Sequence, residues 1–179
     1  MPFVNEIEET QADPHLLEIY GKIERDLGFL PHYFKTLGAK PAVIEAQLQL
    51  SPAVMADSAL PMVTKEQIGL VVSGINSSTY CIMFHMELLR RFGVEKNLAR
   101  KLTTDYESAA VEPKVKELFK FAEKLTRHPD DITESDTDAG GASPSNIANG
   151  IHGECLALQS ATIQRSVARD RVSKIAQSC

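Results

Sequence analysis

Apolar residues in this chain recur every three or four positions, in segments opened by proline and closed by glycine. Nowhere do they alternate with polar residues over a useful length. A period near 3.6 gathers such residues on one helix face, whereas a half-buried strand needs period two, so the pattern predicts an all-α domain. Leu16, Leu17, Tyr20 and Ile23 form the first stripe, with Asp13 placed to cap it, Pro14 at its first position and Gly28 at its end. A short helical piece begins at Leu30 and stops near Gly38. Pro41 opens a third segment with Val43, Ile44, Leu48 and Leu50 inward, which Pro52 kinks or restarts. Thr64 then reads as an N-cap with Gln67 reaching back to it, and Ile68, Val71, Val72 and Ile75 follow at helical spacing. Asn76, Ser77 and Ser78 interrupt the pattern before a helix from about Thr79 to Phe92, which stops at Gly93. Another helix is expected over Val94 to Thr103. Pro113 starts the strongest stripe, Val115, Leu118, Phe119, Ala122 and Leu125, with Lys114, Lys116, Lys120 and Lys124 on its wet side.

A chain of 179 residues suffices for one domain with a sizeable core, and an apolar share of 43% is ordinary for a globular protein. The formal charge of −5 argues against a dedicated nucleic-acid binder. No run approaches the roughly 20 apolar residues of a membrane span. The acidic opening MPFVNEIEETQADP lacks the basic and apolar regions of a signal peptide, so a cytoplasmic protein is expected. The three cysteines, Cys81, Cys155 and Cys179, are odd in number and widely spaced, which suits a reducing compartment rather than a disulfide framework. The helical period is lost in TESDTDAGGASPSNIANG, residues 133–150, which reads as a linker or loop. The expected organisation is a helical domain over 1–138 and a linker with an atypical tail over 139–179, where Leu156, Ile163, Val167 and Ile175 form the thin stripe of a last helix.

The residues that carry chemistry lie in SSTYCIMFH, residues 77–85. Cys81 and His85 are four apart and share a helix face with Phe84, Leu88 and Phe92, which points that face inward. Cys81 falls in the first turn, where unpaired N–H groups and the helix dipole favour a thiolate, and a histidine within reach can take the thiol proton. The plainer reading is a cysteine packed as a small hydrophobe beside a hydrogen-bonded core histidine, and spacing alone leaves the two open. Ser78 is a candidate N-cap whose hydroxyl accepts from a first-turn N–H and lies close to the thiol. Glu66 begins the preceding helix; antiparallel packing through Asn76–Ser78 sets it about a helix length from Cys81, so their meeting is open. No second pair has ligand spacing, so neither a metal nor a cofactor is expected. His32 and His128 read as surface histidines, and His152 and Cys155 receive no role. There is no P-loop, GxGxxG, HExxH or GxSxG.

Glu66, Tyr80-Cys81 and His85, set in TKEQIGLVVSGINSSTYCIMFHMELLRRFG, resemble the AhpD-like alkylhydroperoxidases of the carboxymuconolactone decarboxylase superfamily, nearest their peroxidase-related branch. LGFLPHYFKTLGAKPAVIEA and DYESAAVEPKVKELFKFAEKLTRHPDDIT agree, and the resemblance covers about residues 15–138. It implies an all-α, AhpD-like helical domain assembled as a homo-oligomer. It places Cys81 at the peroxide-attacking position of a Cys-x-x-Cys, with His85 and Glu66 assisting its deprotonation, partly through water. The family's fifteen-residue offset from glutamate to cysteine is matched by Glu66 and Cys81. Ser78 departs from the pattern, because it stands where the other cysteine belongs and cannot form a disulfide. An oxidised Cys81 then needs an outside thiol, or Cys155 or Cys179, to restore it. Past residue 138 the expected apolar, Asn-rich helix is also unrecognisable.

The resulting expectation is a thiol-dependent, peroxidase-like antioxidant protein that reduces hydroperoxides through a single reactive cysteine, with Cys81, His85 and Glu66 as catalytic residues. Its partners are a small-molecule hydroperoxide and an external thiol reductant, with no nucleic acid and no membrane. One alternative is a carboxymuconolactone decarboxylase-like enzyme, in which His85 and Glu66 do acid–base work without the thiol. Another is a non-catalytic helical oligomer in which Cys81 and His85 only pack.

Overall fold

The structure is a computed structural model that describes residues 5–58, 60–133, 135 and 136. The expected boundary at 138/139, the linker, the last helix, and Cys155, Cys179 and His152 lie outside the described residues. Among the described residues the regular structure is entirely helical, as the periodicity predicts. The helices are α1 (Pro14–Leu27), α2 (His32–Leu37), α3 (Pro41–Met55), α4 (Met62–Ile75), α5 (Thr79–Arg91), α6 (Lys96–Thr104) and α7 (Pro113–Arg127). Short 3-10 turns follow α6 and α7 at Tyr106–Ser108 and Pro129–Asp131. The chain forms two compact units that divide between Ala53 and Val54.

The first unit is built on α1. The Asp13 carboxylate accepts from the Leu16 N–H at 2.8 Å, and Gly28, at φ 77°, ends the helix by donating its N–H to the Glu24 carbonyl. Leu16, Ile19, Tyr20 and Ile23 bury their side chains with Phe34 of α2 and Ile44 of α3. Each such fully buried side chain contributes about 1.5–3 kcal/mol of transfer free energy. Leu17, expected inward, is exposed, and Ile19 takes its place in the stripe. Tyr20 donates its hydroxyl to the Ile7 carbonyl at 3.0 Å, so the phenol is buried without an orphaned donor. Lys35 holds the same N-terminal segment through Glu8 at 2.7 Å. Helix α3 continues through Pro52 rather than restarting there. Ile44 and Leu48 make the inward contacts expected of them, whereas Val43 and Leu50, also expected inward, are exposed.

The second unit is organised around α4, which packs against α5, α6 and α7. Its buried residues, Lys65, Glu66, Ile68, Gly69, Leu70, Val71, Val72 and Ser73, run round most of the helix, the signature of a central rather than a surface helix. The predicted start of α4 is corrected. Thr64 does not cap it; the helix begins at Met62 behind Pro61, and the Asp57 carboxylate accepts from the Met62 N–H at 2.7 Å. At the other end Gly74 lies against α6, where a Cβ would stand 2.5 Å from the Thr103 carbonyl oxygen, so only glycine allows this approach. Leu118, Phe119 and Ala122 bury the predicted stripe of α7, with Val115 and Leu125 half-buried. Lys114 and Lys120 are exposed, as expected of the wet side, while Lys116 and Lys124 are half-buried.

Candidate active site

The turn between α4 and α5 sets the site. Ser77 adopts the left-handed conformation, φ 52°. Its N–H donates to the Gly74 carbonyl at 2.9 Å, and the Ser78 N–H donates to the Ser73 carbonyl at 2.9 Å. These two bonds close a Schellman-type C-cap on α4, in a position that glycine usually occupies. Such a residue carries local strain, since the left-handed region costs a non-glycine residue roughly 1–2 kcal/mol. The chain therefore leaves α4 in a fixed direction and enters α5 at Ser78, whose carbonyl accepts the first helical bond from Ile82 at 2.9 Å.

Ser78 is the N-cap residue of α5, as predicted, but its side chain does not cap a backbone N–H. The hydroxyl instead donates to the Cys81 sulfur at 3.1 Å, and both residues are buried. Cys81 is a free thiol in the first turn of α5. One turn on, His85 is buried on the same face, followed by Leu89. Phe84 and Leu88 flank this stripe half-buried, but Phe92, expected to extend it inward, is exposed because it sits past the end of α5 as the chain turns toward Gly93.

Glu66 reaches this face from α4. Its Oε2 lies 2.7 Å from His85 Nδ1, with each side chain only 8% exposed. The meeting that the sequence left open thus joins Glu66 to His85, one turn along α5 from Cys81. A carboxylate at Nδ1 favours the tautomer with the proton on that nitrogen, which leaves Nε2 as the basic atom. Lys65, next to Glu66, is also buried, and its ammonium donates to the Val54 and Ala56 carbonyls, each at 2.7 Å. Sequence reading gave Lys65 no such task, because its partners are backbone carbonyls of the preceding segment and leave no side-chain signature. Ser73 completes the buried polar set by donating to the Gly69 carbonyl at 2.6 Å.

A thiol in the first turn of a helix, beside a hydroxyl donor and one turn from a buried carboxylate–imidazole pair, has the side chains that thiol chemistry uses. His32 is exposed and pairs with Glu6 at 2.7 Å, and His128 is exposed at the end of α7, as surface histidines. No group of three metal-ligating side chains occurs among the described residues.

The sequence profile of the carboxymuconolactone decarboxylase family matches residues 41–124, a span that contains the whole site. Among solved structures the fold is similar to an AhpD-core, peroxidase-related protein from Ralstonia eutropha JMP134, at 22% identity, TM-score 0.79 and 90% coverage of both chains. A peroxidase-related protein from Silicibacter sp. TM1040 is similar at 22% identity, TM-score 0.78 and the same coverage. The debrominase Bmp8, in a cysteine-to-alanine variant complexed with 2,3,4-tribromopyrrole, matches at 20% identity and TM-score 0.71, over 92% of this chain and 87% of its own. No curated protein sequence matches. The chain thus has an AhpD-like helical fold, and its residues 41–124 are similar to the carboxymuconolactone decarboxylase family.

Proposed function

We propose that the protein is a thiol-dependent, peroxidase-like antioxidant of the peroxidase-related branch, which reduces small hydroperoxides through Cys81. The observation that carries this reading is the buried Glu66–His85 bond, made on the helix face that also holds Cys81 and its serine donor. A cysteine serving only as core filler needs no such company, since burying a carboxylate, an imidazole and a hydroxyl costs free energy that apolar side chains would not. In the reaction, His85 takes the thiol proton with Glu66 holding the ring. The Cys81 thiolate attacks the distal peroxide oxygen, the O–O bond breaks, and the alkoxide leaves as an alcohol after receiving the proton. Cys81 becomes a sulfenic acid, which an external thiol reduces.

A reducing, cytoplasmic setting is part of this reading; no described helix is long and apolar enough to cross a membrane. Assembly as a homo-oligomer is part of this reading, and sedimentation tests it. Turnover of an organic hydroperoxide with a thiol reductant is expected in the wild type and lost in Cys81→Ser; equal rates would end the proposal. The family match keeps one second reading in view, acid–base chemistry on a lactone by His85 and Glu66. It predicts turnover that survives Cys81→Ser. Because a debrominase shares this fold, a brominated pyrrole belongs in the substrate panel.

A further inference from the structure

We infer that Ser78 is a positioning residue for Cys81, and that it makes the protein a one-cysteine catalyst whose cycle passes through a mixed disulfide with an external monothiol. The inference rests on the thiol-peroxidase reading above and deepens it.

The Ser78 hydroxyl oxygen lies 3.1 Å from the Cys81 sulfur and donates to it; from there it can hydrogen-bond the sulfur but cannot form a disulfide with it. It has also given up the usual task of an N-cap side chain, because no backbone N–H of α5 is capped by it. The geometry is fixed from behind by the two backbone bonds that close the turn at Ser77 and Ser78. A hydroxyl so held stabilises sulfur whenever it carries negative charge.

That happens twice in the cycle. Cys81 is first the thiolate that attacks peroxide. The sulfenic acid then condenses with one monothiol, giving water and a Cys81–S–S–R mixed disulfide. A second monothiol attacks the outer sulfur, the S–S bond breaks, RSSR departs, and Cys81 leaves as a thiolate on which Ser78 again donates. The balance is one hydroperoxide and two monothiols in, one alcohol, one water and one disulfide out.

Other charged groups on α4, α5 and α6 are Lys65 and Glu66 of α4 and His85 of α5, all buried, with half-buried Glu87 and exposed Arg90 and Arg91 toward the end of α5, and exposed Lys96, Arg100 and Lys101 of α6. None of them changes in a Ser78 variant, so an altered pH response belongs to the hydroxyl.

The experiment uses the full chain with Cys155 and Cys179 replaced by serine, leaving Cys81 as the sole thiol. The pH midpoint of iodoacetamide alkylation is expected to rise by about one unit in Ser78→Ala and to return in Ser78→Thr. In the wild-type chain, with all three cysteines present, peroxide followed by one equivalent of a monothiol such as glutathione should leave a Cys81 mixed disulfide, visible by mass, and not a bond to Cys155 or Cys179. Ser78→Cys in the background without those two cysteines should instead form an internal disulfide. An unchanged midpoint in a folded Ser78→Ala protein, or no mixed disulfide in the wild type, overturns the inference. If Cys81→Ser also abolishes turnover, those outcomes leave the peroxidase reading standing. A shifted midpoint without hydroperoxide turnover overturns the peroxidase reading and leaves Ser78 as the residue that tunes the thiol.

Discussion

The two compact units of this chain bury different things. The core of the first is apolar: Leu16, Ile19, Ile23, Phe34 and Ile44, with Tyr20 satisfied through the Ile7 carbonyl. The second buries Lys65, Glu66, Ser73, Ser78 and His85, all on α4, on α5 or in the turn between them. Every one of these five has a hydrogen bond of 3.1 Å or less. Apolar burial stabilises a fold directly, whereas buried polar groups at best offset their own desolvation. Both units bury apolar side chains, Leu70, Val71, Leu89 and Phe119 among them in the second; what sets the second apart is the added buried polar set, so the α4–α5 hairpin is shaped by something besides packing.

The comparison can be broken most forcefully at Ile23, which is fully buried in the apolar cluster. Ile23→Ala is expected to cost about 2–5 kcal/mol in a urea titration, while hydroperoxide turnover per folded molecule stays the same. A comparable effect with the opposite character is expected in the hairpin. His85→Ala should lower turnover by about 100-fold or more, the range of a lost general base, equivalent to about 2.7 kcal/mol of barrier. If instead both variants lose stability alone, the hairpin is only a second core. Glu66→Gln tests the pair more gently. It keeps the shape but replaces a carboxylate acceptor with a neutral amide, and about 1–2 kcal/mol of stability should go with reduced turnover.

The smallest effect lies outside both cores. Lys124, and then Thr133, hold the Asp136 carboxyl down at about 2. Its folded value is therefore below the ordinary carboxylate value of about 3.9. The contribution of this pair is present above that ordinary value and lost as pH falls through about 2. Because Asp136 is only half-buried and Lys124 still reaches solvent, chemical shifts of Lys124 and Asp136 across that window report it better than a melting curve, and they should move without any change at His85.

Much of this was legible because local rules decided it. Asp13, Pro14 and Gly28 bound α1 as predicted, and Pro113 opens α7. The misreadings have non-local causes. The N-terminus of α4 is satisfied by Asp57, which lies upstream across Pro61, so the local Thr64–Gln67 pattern was a false cap. Leu17, Val43, Leu50 and Phe92 fit helical stripes but point where no neighbour covers them within the chain as described. At the site, helix period brought Cys81 and His85 onto one face. It could not say that Glu66 bonds His85, because that depends on how two helices cross. Nor could it say that the Ser78 hydroxyl turns toward sulfur instead of backbone, a choice of rotamer that leaves no trace in residue identity.

The central claim is that Cys81 is a working nucleophile and not core filler. Trapping its sulfenic acid tests this most directly: the native protein receives one equivalent of an organic hydroperoxide with dimedone present, and the labelled residue is located by mass spectrometry. The account predicts labelling at Cys81, faster than for free cysteine under the same conditions and slowed in His85→Ala. Labelling no faster than free cysteine, or equally fast in that variant, would contradict it.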